Sequence, residues 1–312
     1  MIVISAGNKY LDIDAYASGI AYAVLLQSFG EEVVFASSAK ENMSICPLIK
    51  ELGFNVDRDY EPKEEDKFIV LDLSNPEFFD VIINSDNIIE VIDHHTGFEE
   101  YWKDNIENSQ IEFIGSVATI IFERFKKANK LNLLTPKLCR LLVAAILDNT
   151  LNLKSNITTK RDILAYEELK KIGKIEDSFD EQYFASCQEI INENVFDSVK
   201  SDLKIETVSS MLPEIFGQLM VYDKTPILEK IDEVEMVFEN ADKPWFINII
   251  CLKDGKSYLF TTNLEAQKML EKLFSKKFEN NLLVLSNFML RKEIMKMARK
   301  KTVDESQPNS SN

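Results

Sequence analysis

The sequence predicts a two-domain α/β protein, in which an N-terminal, doubly wound domain with a mainly parallel sheet precedes a smaller C-terminal α/β domain. A chain of 312 residues is long enough for two such domains. Apolar, strand-like runs alternate with segments of helical periodicity through the first half, as in a parallel sheet with helices on both faces. A polar helical segment, residues 170–193, then separates this half from a second group of strands and helices.

The elements of the first half follow from the spacing of its apolar residues. The predicted strands are residues 1–5, 33–36, 68–73 and 88–92. The predicted helices are residues 16–29, 45–52, 78–84, 116–127 and 136–147. This order of elements is typical of repeated βα units.

The second half has strand candidates of its own, with helices between them, and reads as a smaller α/β domain. These strands are residues 219–222, 246–251, 258–261 and 282–285. We therefore assign residues 1–190 to the first domain and residues 195–301 to the second. Residues 302–312 are polar, with proline and serine, and are predicted to be a disordered tail.

Composition and charge exclude several functional classes. The net charge of −16 makes a nucleic-acid partner unfavourable, and the apolar runs are too short to cross a bilayer. The N-terminus has no basic segment before its apolar run, so it is predicted to be a strand and not a signal peptide. Four widely spaced cysteines suggest free thiols in a reducing compartment. We therefore expect a cytoplasmic protein without a membrane partner.

Acidic residues and histidines follow the predicted strands and one predicted helix of the first domain. They are Asp12, Asp14, Asp72, Asp93, His94, His95 and Asp148. Open α/β sheets bind ligands beyond the carboxyl ends of their strands, so these side chains are expected to meet at one edge of the sheet. Carboxylates and imidazoles together suit Mn²⁺, Mg²⁺ or Co²⁺.

The histidine content sharpens this prediction. The chain has two histidines, His94 and His95, and they are adjacent at a predicted strand end after Asp93. Neighbouring residues at a strand end point in different directions, so one ring can bind a metal while the other reaches a substrate. Asp12 and Asp14 also fit a purely structural role at the start of a helix.

Several short motifs resemble those of the DHH family of phosphoesterases, in particular the manganese-dependent (family II) inorganic pyrophosphatases. Residues 7–15 (GNKYLDIDA), with Ser18, resemble motif I of that family. Asp72 matches motif II, and Asp93-His94-His95 matches the DHH triplet that names the family. Residues 115–120, 144–147, 150–152, 154–155 and 158–159 are also similar to family segments. In the second half, residues 202–204 and 290–292 resemble the phosphate-binding lysine and terminal Ser-Arg-Lys motifs, which implies a DHHA2-like domain.

This resemblance implies a particular site and reaction. Two divalent cations, Mn²⁺ with Mg²⁺ or Co²⁺ as alternatives, would activate a water molecule for attack on the phosphorus of pyrophosphate or short polyphosphate. Asp72 would bridge the cations, Asp12 would bind the first, and Asp14, His94 and a motif IV acid would bind the second. His95 would contact the phosphoryl group, and Lys204, Arg291 and Lys292 would neutralise the small anionic substrate. Related enzymes also imply a homodimer.

The chain departs from the family pattern at three positions. Asn8 stands where motif I has a histidine, and the exopolyphosphatase and Prune branch is similar in lacking that histidine. The amide oxygen of Asn8 is a neutral, hard metal ligand, which suggests a weaker preference for Mn²⁺ and a greater tolerance of Mg²⁺. Asn149 occupies the expected motif IV aspartate position, with Asp148 one residue earlier, so either side chain is a candidate ligand. Leu290 replaces the serine of the Ser-Arg-Lys motif.

Two other functions remain open at this stage. One is a phosphodiesterase acting on short oligonucleotides or cyclic dinucleotides, although both histidines are already used by the DHH triplet and the chain has only nine glycines. Those phosphodiesterases carry a further glycine-rich, histidine-containing motif. The other is a catalytically weak, Prune-like binding protein, which the changes at Asn8 and Asn149 favour.

Overall fold

The computed structural model describes residues 1–106 and 108–306. The chain consists of two compact units, Met1–Ser186 and Cys187–Asn312, each considered by itself. The division lies inside a helix, a few residues ahead of the boundary expected from the sequence.

The first unit is built on a five-stranded, fully parallel sheet, as the alternation of strands and helices predicts. The strand order is β2-β1-β3-β4-β5. The strands are β1 (Ile2–Ser5), β2 (Val33–Phe35), β3 (Lys67–Leu71), β4 (Ile88–Asp93) and β5 (Gln110–Ile111). The helices are α1 (Ile13–Gln27), α2 (Pro47–Lys50), α3 (Glu99–Asn105), α4 (Val117–Lys127), α5 (Pro136–Asn149) and α6 (Lys160–Gly173), followed by α7 (Ser178–Glu193), which continues into the second unit. The central strands are buried along most of their length, because helices cover both faces of a parallel sheet.

Side-chain caps define where the helices of this unit begin. Asp12, Ser116 and Thr159 each accept a hydrogen bond from a backbone amide in the first turn of the following helix. Thr159 and Asp162 form a reciprocal capping box at the start of α6. The buried Asp162 carboxylate also accepts hydrogen bonds from the backbone N–H of Gly115 at 3.0 Å and the hydroxyl of Thr119 at 2.7 Å. Asp162 therefore ties the start of α6 to the start of α4.

Three predictions for this unit were wrong in detail. Residues 78–84, predicted as a helix, begin with the end of a 3-10 turn (Pro76–Phe78) and then follow an irregular path. The buried Asp80 carboxylate holds this segment by accepting hydrogen bonds from Ser37 and Ser38, on a distant loop. Residues 45–52 contain only the short α2, and residues 170–193 are divided where Lys174 adopts a left-handed backbone, with a φ of 51°.

The second unit has a five-stranded mixed sheet in the order β10-β9-β8-β7-β6. Its strands are β6 (Lys204–Ile205), β7 (Ile215–Val221), β8 (Trp245–Cys251), β9 (Lys256–Phe260) and β10 (Leu282–Leu285). Its helices are α8 (Val195–Ser201), α9 (Thr225–Glu229), α10 (Ile231–Met236), α11 (Leu264–Phe274) and α12 (Arg291–Ser306). Only β7 and β8 are parallel, and the sheet core packs on α11 and α12 through residues such as Phe246, Leu270 and Ile294. The sequence did not predict β6.

Helix α12 runs past the start of the predicted tail. Residues 302–306 are helical, so the expectation of disorder is wrong for them, and residues 307–312 lie outside the described residues. The hydroxyl of Thr302 donates to the carbonyl of Ala298, and Lys301 donates to the carbonyl of Leu273 on α11. These contacts lie where the predicted tail begins. No helix within the described residues is long and apolar enough to cross a membrane.

Candidate metal centre

The ends of β3 and β4 bring Asp72 and the Asp93-His94-His95 triplet together. Asp72 comes directly after β3, and its backbone N–H donates to the carbonyl of Ile92 at 2.9 Å. Its φ of 59° is unusual for a residue other than glycine. Unusual backbone geometry of this kind concentrates at functional sites. The structure places side-chain ligand atoms of Asp72, His94 and His95 within 4.8 Å of one another.

Asp93 organises the triplet from within. Its buried Oδ1 accepts hydrogen bonds from the backbone N–H groups of His94 at 2.7 Å and His95 at 3.1 Å, and lies 2.8 Å from Nδ1 of His95. Burial alone would raise the pKa of Asp93, but these contacts with His95 lower it below the ordinary value. Asp93 is therefore an ionised residue that orients the two histidines.

His94 has the arrangement of a metal-binding imidazole. Its Nδ1 lies 3.1 Å from the carbonyl oxygen of Ile114, which can only accept a hydrogen bond, so Nδ1 carries the proton. In the neutral ring Nε2 then keeps its lone pair, and it faces Oδ1 of Asp72 at 3.2 Å. Both atoms are buried and neither has a hydrogen-bond partner. Metal-binding histidines commonly donate their other N–H to a carbonyl group in this way.

Oδ1 of Asp72 and Nε2 of His94 face each other across 3.2 Å, each with a lone pair. Two such atoms repel each other unless a proton or a cation lies between them. Burial, and then the neighbouring carboxylates of Asp12 and Asp14, raise the pKa of Asp72 well above its ordinary value. The charge of His95 acts in the opposite direction but does not cancel this increase, so the site concentrates negative charge. Carboxylate and imidazole donors fit a divalent cation at this position.

His95 stands at the surface of the same cluster. Its side chain is 61% exposed, and Nδ1 is held by Asp93. Partial desolvation of the ring would lower the pKa of His95, but the hydrogen bond with Asp93 and the charge of Asp72 raise it above the ordinary value. The ring lines a cavity of about 290 Å³ together with Asp12 and Asp72. His95 can therefore meet a ligand that His94 cannot reach.

Asp12 and Asp14 have different surroundings. Asp12 caps α1 by accepting from the backbone N–H of Ala15 at 3.0 Å, and it also lines the cavity. Asp14 is fully buried and accepts hydrogen bonds from the hydroxyl of Ser116 and the backbone N–H groups of Val117 and Ala118, all at 2.8–2.9 Å. Burial raises the pKa of Asp14, and its charge also acts on Asp72 and Asp148. Asp14 therefore holds the start of α4 against α1, beside the cluster.

The two motif IV candidates point to different partners. Oδ1 of Asp148 accepts from the hydroxyl of Tyr183 at 2.9 Å, and burial raises the pKa of Asp148 to about 7, with Asp12 and Asp14 adding to the increase. The amide of Asn149 instead donates back to the carbonyl of Ala145 on the same helix. Asp148 thus lies in the electrostatic field of Asp12 and Asp14.

Comparison with known proteins identifies the first unit. Residues 1–146 match the model of the DHH family, N-terminal domain. The chain contains a DHH-family domain. Its fold is also that of a Methanococcus jannaschii protein assigned to the family II inorganic pyrophosphatases, with a TM-score of 0.60, 21% identity, and 96% of this chain and 99% of that one covered. An exopolyphosphatase-related protein from Bacteroides fragilis gives a TM-score of 0.50 at 14% identity, over 97% of this chain and 92% of that one.

The similarity in sequence extends through both units. A probable manganese-dependent inorganic pyrophosphatase of Lactobacillus acidophilus is 25% identical over 92% of this chain and 94% of that protein. A manganese-dependent inorganic pyrophosphatase of Methanothrix thermoacetophila is 25% identical over the same shares of the two chains. The resemblance drawn from the short motifs is therefore confirmed.

Within the DHH domain, motif I contributes residues that sequence reasoning missed. The described residues that line the cavity include Lys9 and Tyr10 but not Asn8, whose side chain is exposed. Leu73 and Phe78 line it as well. Lys9 and Tyr10 lie inside motif I, but roles were expected there only for Asn8, Asp12 and Asp14. The metal-binding role expected of Asn8 stays a prediction.

The expected phosphate-binding residues of the second unit are at its sheet edge and at the start of α12. Lys204 on β6 and Lys292 on α12 are exposed. Arg291 is already paired, because its guanidinium donates to the carboxylate of Asp202 at 2.6 Å, and its backbone N–H donates to Gln218. The positive charge of Arg291 is therefore largely neutralised within this unit. The roles assigned to these three residues stay predictions.

Proposed function

We propose that this protein is a divalent-metal-dependent hydrolase of phosphoanhydride bonds, acting on inorganic pyrophosphate or short polyphosphate. The observation that carries the proposal is the pair of buried, unpartnered atoms, Oδ1 of Asp72 and Nε2 of His94, at 3.2 Å. Two relatives that align with more than nine-tenths of the chain are named as manganese-dependent inorganic pyrophosphatases, one of them as probable. These names support a divalent metal and this reaction. Mn²⁺ is the first candidate, with Mg²⁺ and Co²⁺ as alternatives.

The residues that would hold the cations are Asp72 and His94, with Asp12 and Asp148 beside them and Asp14 behind. When bound, the cations supply an acidified water molecule and neutralise the charge of the phosphoryl oxygens. Asp93 keeps its negative charge and orients both histidines through Oδ1. His94 is held by the Ile114 carbonyl, so its ring does not have to reorganise when the site is loaded.

His95 is suited to contact the phosphoryl group. Its exposed ring lines the cavity, and the raised pKa keeps it protonated to a higher pH than an ordinary histidine. A protonated ring held by Asp93 through Nδ1 can donate its second N–H to a phosphoryl oxygen. Lys9 also lines this cavity and adds a positive charge close to the site.

The test is phosphate release from pyrophosphate, tripolyphosphate and long polyphosphate, each with Mn²⁺, Mg²⁺ or Co²⁺. We expect Asp72→Asn to abolish release, because it removes the central carboxylate. The exposed Asp104 lies outside the cavity lining, and Asp104→Asn serves as the matched control that keeps full activity.

A second readout separates metal binding from catalysis. Addition of Mn²⁺ should raise the melting temperature of the metal-free wild type, because a ligand that binds the folded state stabilises it, and His94→Gln should weaken this effect. The absence of release with every metal and every chain length would refute the proposed reaction. A protein that also gains no stability from the metals would be a binding protein that keeps the fold.

A further inference from the structure

The cavity beside the candidate metal centre has an apolar part of its lining, which we call the apolar wall. Tyr10, Leu73 and Phe78 form this wall, and Asp12, Asp72 and His95 belong to the polar part of the lining. The side chains of Tyr10 and Phe78 are large and about half exposed, at 46% and 50%. Two half-exposed aromatic rings next to a cluster of carboxylates form an arrangement that binding pockets for organic ligands commonly show.

The backbone that carries this wall is held in place. The backbone N–H of Asn8 donates to the carbonyl of Phe78 at 2.8 Å, and that of Asp80 donates to the carbonyl of Ala6 at 3.0 Å. Leu73 lies so close to Gly7 that a Cβ atom there would be 3.2 Å from Cδ2 of Leu73. The wall is therefore a built part of the DHH domain, in fixed register with motif I.

Inorganic phosphates do not explain the wall. Pyrophosphate and polyphosphate carry only charged oxygens at their surface, and these gain nothing from contact with Tyr10, Leu73 or Phe78. A ligand that fits the whole cavity has an anionic end for the metal centre and Lys9, and an apolar, flat end for the two rings. A base of the nucleic-acid type meets the second requirement, because aromatic side chains stack on its faces.

We infer that the substrate class of this site includes nucleoside diphosphates, with the base against Tyr10 and Phe78 and the phosphates at Asp12, Asp72 and His95. This inference rests on the proposed phosphoanhydride hydrolysis. In the reaction, the oxygen of water forms a new bond to the terminal phosphorus, and the bond from that phosphorus to the bridging oxygen breaks. The bridging oxygen keeps the electron pair, so nucleoside diphosphate and water give nucleoside monophosphate, orthophosphate and a proton.

The experiment compares an organic ligand with a matched inorganic ligand, each added to the full-length protein in the presence of Mn²⁺. Calorimetry measures binding of the methylene-bridged analogue of adenosine diphosphate and of methylenediphosphonate, and kinetics measures hydrolysis of adenosine diphosphate and pyrophosphate. The variants are Tyr10→Ala, Tyr10→Phe and Phe78→Leu, with Phe29→Ala as the control for a half-exposed aromatic outside the cavity.

We expect the adenosine analogue to bind wild type more tightly than methylenediphosphonate. Tyr10→Ala and Phe78→Leu should each weaken its binding about tenfold, with less than about a twofold change for the inorganic ligand. Phe29→Ala should behave as wild type, and Tyr10→Phe, which keeps the ring, should retain the adenosine binding that Tyr10→Ala loses. Equal affinity of wild type for the two ligands would overturn the inference, and so would an equal loss of affinity for both ligands in the variants. Hydrolysis of pyrophosphate would still support the proposed function in either case. Loss of all hydrolysis with preserved adenosine binding would instead refute the proposed function alone.

Discussion

The hydroxyl of Tyr183 on α7 lies 2.9 Å from Oδ1 of Asp148 and 3.1 Å from the carbonyl oxygen of Ser44. Tyr183 is fully buried, so its hydroxyl links the end of α5 to the loop before α2. The hydroxyl oxygen of Ser44 in turn accepts from the backbone N–H of Ile13, the first residue of α1. One buried phenol thus connects a candidate metal ligand with the backbone of motif I.

Tyr183→Phe is expected to weaken Mn²⁺ binding roughly tenfold, because it removes the group that orients Asp148. The matched control is Tyr16→Phe, which removes a buried hydroxyl that donates to the carbonyl of Phe54 at 3.0 Å. Both variants should lose about 1 kcal/mol of unfolding free energy. Calorimetric titration with Mn²⁺ and urea denaturation separate the two effects, and equal metal affinity in both variants would contradict the positioning role.

The motif IV position gives a direct comparison between neighbouring residues. Asp148→Asn should reduce metal affinity and activity at least tenfold, since it removes a carboxylate from the field of Asp12 and Asp14. Asn149→Ala should change metal affinity and activity by no more than about twofold. The hydrogen bond described for the Asn149 side chain goes to Ala145 on its own helix. Metal titration and phosphate release measure both. The reverse pattern would show that Asn149 occupies the ligand position.

The metal-free protein should become less stable as the pH rises from about 4 to about 7. The pKa of Asp148 is raised from 3.8 to about 7, so in this window the folded state binds more protons than the unfolded state. The unfolding free energy therefore falls with rising pH, and the stabilisation from this carboxyl is complete only below the lower value. Urea denaturation in the presence of a chelator measures the slope. Asp148→Asn should flatten it, and an unchanged slope would contradict the assignment.

Asp162→Asn should destabilise the DHH domain by about 3 kcal/mol without changing the metal affinity of the folded protein. The carboxylate accepts from Gly115, Thr119 and Thr159, and an amide group leaves some of these buried donors unpaired. The exposed Asp104 again supplies a neutral Asp→Asn control. Thermal and urea unfolding check the stability. A loss below 0.5 kcal/mol would contradict the role of Asp162 as the tie between α4 and α6.

Much of the fold follows from local sequence. The parallel strands β1 to β4 are apolar runs, and a strand buried on both faces requires such a run whatever surrounds it. The starts of α4 and α5 are predicted to within a residue, because Ser116 and Thr135 cap them from the adjacent position. The path of residues 78–84 was not predictable in the same way. It depends on Asp80 accepting hydrogen bonds from a loop about forty residues earlier in the chain.

The sequence by itself determined that acidic residues and both histidines follow the strands of a parallel sheet, because the position of a residue along a strand is a local property. It also indicated a DHH-family domain, which the family match over residues 1–146 bears out. The tertiary structure alone decided that Asp148 bonds to Tyr183 whereas Asn149 turns back to its own helix. It also decided that Asp14 holds the start of α4, and that Tyr10 and Phe78 line the same cavity as Asp72. Each of these depends on contacts between segments far apart in the chain, which local spacing does not encode.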